Sequence, residues 1–476
     1  MNVDDLYWQA KHYGGISPRL VNVLLEDGQL ELLIQAAAER GEWFCAETSA
    51  RELCKAGDFQ RALAVMEPFV AIGWSPARWA TADIMLQAGR TEQALELVRP
   101  DETGRESEHA CRRFAELLVK AGRVDEAIAL LTPHIDGWLL PVLVELTEGQ
   151  DRDERVLELI APLAQRVRNA RAEGRWRDDA WDAQEREAQV LERAGRVEQA
   201  IRTLGADIAA GRFLTQNTLT AYAELLVRHG RIEALRELGT GKHSGVALPH
   251  YAQALENDRR VEEAEAILRQ FIGSAEYPDR FRWALIELLA RQGRLSEAVE
   301  VGRPTFDYHD AWLLEGVIHL LYGAGRLDDA LAILDERSAE FVEEHPSWFT
   351  SNRLWLLGEA GRYEEALAYA ATRPADQYGL TETVARLLEK SGRLEEAISL
   401  LRASGSERPS ELAELLIRQG RAADAIAGMP SLSALHEAAR RREAATEATR
   451  SPDEPPFQGL SGGSCDRVTC RHGTFT

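Results

Sequence analysis

The chain has 476 residues, more than one globular core usually holds. Its formal charge of −22, from 78 acidic against 56 basic residues, opposes general binding to nucleic acid or anionic membranes, because phosphate contacts need clustered Lys and Arg. Ala, Leu, Glu and Arg dominate, aromatics make up 7% and Pro is sparse, a composition that favours helix over sheet.

The N-terminus, Met1-Asn2-Val3-Asp4-Asp5, is acidic and leads into no apolar signal region. Residues 1–56 read as a helical capping region with a weak repeat unit around Gly28, flanked by Leu24-Leu25 and by Leu30 to Ile34. End units of a repeat array are expected to be atypical because one face meets water instead of a neighbour. Five cysteines, irregularly spaced, suggest reduced thiols in a cytoplasmic protein.

Residues 57–430 carry a repeat. Aligned on glycine, its copies centre on Gly57, Gly89, Gly122, Gly195, Gly230, Gly293, Gly325, Gly361, Gly392 and Gly420, with Arg259 in the glycine slot of one more. A Leu-Leu pair ends the apolar stripe ahead of the turn, as at Leu225-Leu226 and Leu356-Leu357, and marks a first helix, A. After the glycine come Arg, an apolar residue and acids, the last suited to the first turn of a second helix, B. Five residues past the glycine stands an alanine, from Ala62 to Ala425, with Ala234 at offset four as the deviation. A small residue there lets B lie close on A. Self-similarity at this period predicts an all-α solenoid, a right-handed superhelix of about 11–12 stacked antiparallel helix pairs.

The copies degrade between about 130 and 190. Gly149 to Ile160 reads as a worn unit, and Gln165 to Trp181 as a polar extended helix bearing Arg166, Arg168, Arg171, Arg175 and Arg177 with Trp176 and Trp181. That cluster is either a solvated helix face or an anion contact. Within 138–144 the longest apolar run is broken by Pro141 and is far shorter than the roughly 20 residues a bilayer span needs. Residues 431–449 suit one closing helix, and the Ser-, Pro- and Gly-rich segment 450–476 reads as a disordered tail.

Glycine, a polar residue, an apolar residue, two acids and alanine, clearest in Gly361-Arg362-Tyr363-Glu364-Glu365-Ala366-Leu367, resemble the tetratricopeptide repeat. The likeness covers roughly 40–430 and is divergent: the glycine that family places seven residues before the turn is replaced by Ala50, Ala115, Ile286 or Leu354. The unit around Gly57 is also similar to a pentatricopeptide repeat. The resemblance implies a concave groove lined by the A helices. Six residues before the turn the chain places Asp83, Glu116, Glu224, Glu287 and Glu414, and also His319 and Trp355. Trp283, Trp312, Glu315 and Tyr322 fall on the same face, giving an expected groove of acids and aromatic platforms for a basic or polar protein segment.

No catalytic or cofactor signature accompanies the repeats. Gly459-Leu460-Ser461-Gly462-Gly463 fits the nucleophile-elbow pattern but has no strand before it. Cys465, Cys470 and His472 lack a fourth ligand for zinc. Gly239-Thr240-Gly241-Lys242 lacks the leading glycine of a phosphate loop, whose place Arg236 takes. The sequence therefore leads to a non-enzymatic, cofactor-free cytoplasmic scaffold binding protein or peptide. A peptide-responsive regulator and a single-stranded RNA binder of the pentatricopeptide type stand as alternatives.

Overall fold

The structure is a computed structural model that describes residues 1–101, 107–175, 180–210, 215–306, 312–374, 379–403 and 409–449. Trp176, Arg177 and the whole segment 450–476, with its elbow-like motif and its Cys465, Cys470 and His472, lie outside them.

Among the described residues every regular element is helical. The chain opens with α1 (Val3–His12), α2 (Pro18–Glu26), α3 (Leu30–Arg40), α4 (Trp43–Lys55), α5 (Phe59–Ala71), α6 (Ser75–Gln87) and α7 (Thr91–Val98). It continues through α8 (Glu108–Lys120), α9 (Val124–Leu131), α10 (Leu139–Leu146), α11 (Asp153–Ala172), α12 (Ala183–Arg193), α13 (Val197–Ala209), α14 (Gln216–Arg228) and α15 (Ile232–Thr240). Next come α16 (Ser244–Asn257), α17 (Val261–Ser274), α18 (Asp279–Arg291), α19 (Leu295–Gly302), α20 (Trp312–Gly323), α21 (Leu327–Asp335) and α22 (Ala339–Glu344). Last are α23 (Pro346–Glu359), α24 (Tyr363–Ala370), α25 (Leu380–Lys390), α26 (Leu394–Ala403), α27 (Pro409–Arg418), α28 (Ala422–Gly428) and α29 (Leu432–Thr449).

Each turn between A and B is fixed locally. The residue after the glycine returns its N–H to the carbonyl of the second leucine of the pair, as Arg231 does to Leu226 at 2.9 Å and Arg393 to Leu388 at 2.8 Å. This is the six-to-one bond of a Schellman cap, which requires a left-handed residue at the turn. Arg259 adopts that conformation too, with φ of 62°, so its assignment to the glycine slot is correct. The alanines five residues on are buried, Ala62, Ala200, Ala264 and Ala366 completely. In the Gly230 unit Leu235, not Ala234, takes the buried slot, and the neighbourhood compensates: a Cβ on Gly239 would lie 3.2 Å from the Leu248 Cα. Larger at one contact, the unit is smaller at the next.

The pair turned at Gly28 (α2–α3) is built like the others, with the Gln29 N–H on the Leu24 carbonyl at 2.8 Å, whereas at Gly149, between α10 and α11, the Gln150 N–H bonds the Thr147 carbonyl instead and Asp151 is left-handed too. Consecutive A helices pack on one another, α14 on α16, α16 on α18, α18 on α20 and α23 on α25, whereas among B helices α3 with α5 comes comparably close. In a curved stack the inner layer has the shorter circumference and crowds, so the A helices line the inside. Curvature brings the ends of the array together. Helix α2 packs on α27 and α1 on α29, and one core runs across the junction, joining Leu6, Leu20 and Leu33 to Leu416, Ile426 and Leu432. The solenoid is a closed ring.

Candidate functional site

The inner wall is richest between α14 and α25. Trp283 of α18 reaches across to α20, where its ring meets Trp312 edge-on at 5.9 Å. Gly316 makes that reach possible, because a Cβ there would fall 2.3 Å from the indole. One unit further, Trp355 of α23 lies 4.7 Å from Tyr322 and 5.4 Å from His319, both on α20. Trp312 is 40% and Tyr322 39% exposed, whereas Trp283 and Trp355 are half-buried against the core. Glu315 stands beside His319 at 3.9 Å, both more than half exposed. The rings fall into two groups, Trp283 with Trp312 and Trp355 with Tyr322 and His319, both resting on α20.

On the side of α16 a cavity of about 330 Å³ opens between the A helices, lined among others by His250, Gln253, Glu256, Glu287 and Arg291. Burial pushes the Glu287 carboxyl above its usual range, against the pull of Arg291 and a hydrogen bond from Trp283. Burial pushes His250 down, with Glu224 opposing. Arg291 is spent on Glu256, which it grips at 2.7 Å. The cavity holds desolvated acid and imidazole groups without a nucleophile between them. Among the described residues no group of three His, Cys, Asp or Glu side chains could hold a metal ion.

The remaining acids divide. Glu224 is exposed and only loosely paired, 3.9 Å from Arg228. Asp83 is bound by Lys120 of the next A helix at 2.7 Å, and Glu116 by Arg112 of its own helix at 3.0 Å. Glu414 is 8% exposed, held between Arg418 at 2.6 Å and Arg19 of α2 at 2.7 Å. It lies in the junction that closes the ring, where a long-range partner occupies the face expected to be open. Acid and base therefore alternate along the inner wall: Arg228 with Glu192, Lys390 with Glu359 and Arg418 with Glu389 repeat the bridge from one A helix to the one before.

A second ladder was not anticipated. In several units the arginine that follows the turn glycine bonds an acid three residues on and an acid of the preceding B helix, as Arg294 does with Glu297 at 2.6 Å and Glu265 at 2.5 Å. Arg123, Arg362 and Arg393 do the same with Glu92, Asp328 and Glu364. Its signal was in the sequence, in the recurrence of Arg beside the turn. Three arginines of the degenerate segment are likewise paired internally: Arg168 with Glu187, Arg175 with Glu173, and Arg171, buried, with Gln184 and Asp207.

Residues 247–303, spanning α16 to α19, match the family model of the tetratricopeptide repeat. That stretch is tetratricopeptide-like, within a chain of helical repeats. Solved structures similar to this helical array include the Naa15/Naa10 complex bound to HypK-THB, at 16% identity, 80% of this chain, 67% of that chain and a TM-score of 0.35. Another is the pentatricopeptide repeat protein PPR10 from maize, at 17% identity, 88% and 74% coverage and a TM-score of 0.29. The same protein in complex with an 18-nt psaJ RNA element aligns at 16% identity, 86% and 62% coverage and a TM-score of 0.31. No curated protein matches the sequence. No helix among the described residues is long and apolar enough to cross a membrane.

Proposed function

We propose that the chain is a non-catalytic scaffold whose inner wall takes an extended protein segment carrying basic and apolar side chains. The aromatic patch of exposed Trp312 and Tyr322, with Trp355 half-buried against Tyr322, carries this reading. Aromatic rings that are held rigidly yet left partly exposed lose little entropy on burial, which suits them as anchors. Glu315 stands beside the patch as a loosely paired acid, Glu224 on α14 is another further along the array, and arginine side chains stack on indole while pairing with carboxylates. The neighbouring cations of the wall, Arg228, Arg291 and Lys390, are each committed to a glutamate, which leaves little to attract phosphate.

The test is binding to a synthetic array of short peptides graded in net charge, beside single-stranded RNA of mixed sequence. Basic peptides with aromatic or aliphatic residues should bind, and Trp312→Ala with Trp355→Ala should weaken them about tenfold or more at unchanged helicity. Peptide binding indifferent to both substitutions would remove the patch from the reading. Salt-sensitive RNA binding without peptide binding would replace it with the pentatricopeptide-type alternative.

A further inference from the structure

A ring of stacked helix pairs has one interface that no loop crosses. Here it is the junction of α1–α4 with α27–α29, and polar groups fasten it at three places. On the B side, the Arg40 guanidinium at the end of α3 donates to the carbonyls of Met429 at 3.0 Å and Pro430 at 2.9 Å, just past the end of α28. Over the top, Asp5 of α1 accepts from the Ser433 hydroxyl at 2.5 Å and faces the His436 Nδ1 at 2.8 Å, both on α29, while Trp8 stacks on the His436 ring at 5.3 Å. On the inner side Arg19 reaches Glu414 at 2.7 Å.

The register of the junction is that of an ordinary unit boundary. Helix α2 sits beside α27 as one A helix sits beside the next, and Arg418 faces Glu26 near the ends of those helices. Arg40 is also braced from behind. Its Nε lies 3.8 Å from the Glu42 carboxylate, which is fully buried and receives Gln9 and the Ile16 amide. A cation fixed on the N-terminal core thus grips the carbonyl end of a C-terminal helix. Interfaces within the array add covalent connection to apolar burial and ion pairs, whereas this one has the shared apolar core and the polar groups alone, and the attraction of those groups weakens with salt or loss of charge.

We infer that the junction is a clasp: the ring parts between α1–α2 and α27–α29 while the rest of the array stays folded, opening its inner wall sideways to a segment that has no free end to thread. Entry of a partner rests on the function proposed above; the parting does not, and it is measured without a partner. Asp5→Asn, Arg19→Glu and Arg40→Ala combined in the full-length chain should raise the radius of gyration in small-angle scattering, with helicity by circular dichroism unchanged. Hydrogen exchange in α1, α2 and α29 should quicken roughly tenfold or more and leave α14 to α20 as in the parent protein. A dimer formed by exchanging junctions between two copies would equally require the clasp to part. An unchanged radius and exchange pattern would overturn the inference, and so would faster exchange spread evenly over the array. Should the triple variant fail to fold, the parent protein decides: α1, α2 and α29 must exchange ahead of α16 and α18, and equal protection sinks the clasp.

Discussion

Arg259 holds a left-handed φ of 62° at a turn where neighbouring units use glycine, and its N–H still donates to the Glu256 carbonyl at 2.9 Å. A side chain in that conformation costs about 1–2 kcal/mol, and glycine returns about half of the difference through the entropy of the unfolded chain. Arg259→Gly should therefore raise stability by about 0.5–1 kcal/mol, read as a higher urea midpoint at unchanged slope. A lowered midpoint would mean that the exposed guanidinium contributes something the backbone does not explain. The sequence pattern located this residue because caps are local: the leucine pair and the alanine slot each lie within five residues of the glycine. Leu235 escaped it for the opposite reason, since the close approach of Gly239 to Leu248 that accompanies it belongs to the following unit.

At the scale of helices, the inner wall is a set of parallel A helices whose polar residues neutralise one another while Trp312 and Tyr322 stay exposed beside the half-buried Trp283 and Trp355. Trp283, Trp312, Tyr322 and Trp355 were legible as a shared face because helical spacing places them there. Pairing was not, since Lys120 with Asp83 or Arg418 with Glu389 depends on which helices become neighbours. Glu287 is the informative acid of this wall. Its carboxyl is raised by burial, so its charged form is penalised in the folded array. A carboxyl raised on folding subtracts nothing below its unfolded value of about 4.3 and subtracts progressively as pH climbs through its folded value. Glu287→Gln should accordingly raise the melting temperature at neutral pH, with the advantage shrinking to nothing in acid near pH 4. A constant difference across that window would show that the substitution acts through packing alone.

For the whole molecule, ring closure is the property least visible in the sequence. It joins Asp5 to His436 and Arg40 to Met429, contacts between the two ends of the chain that leave no period and no motif. Repeat pattern fixes the stacking of neighbours, and small rotations per unit accumulate until the ends meet or miss. The clasp leaves a thermodynamic trace. Burial raises the Asp5 carboxyl, but hydrogen bonds from Ser433 and His436, with the charges of His436 and the N-terminal amine, more than offset it and hold Asp5 below its usual range. A carboxyl lowered on folding contributes stability that is complete above its unfolded value of about 4 and is lost as pH falls through the lowered one. Asp5→Asn should thus destabilise the chain at neutral pH, and the gap between variant and parent should close as the solution is acidified below about pH 4. Because a solenoid unfolds by neighbouring units, the loss should fall first on α1 and α29 and leave the central helices protected in hydrogen exchange. A gap that persists into acid would mean that Asp5 holds the ends together by shape instead of charge.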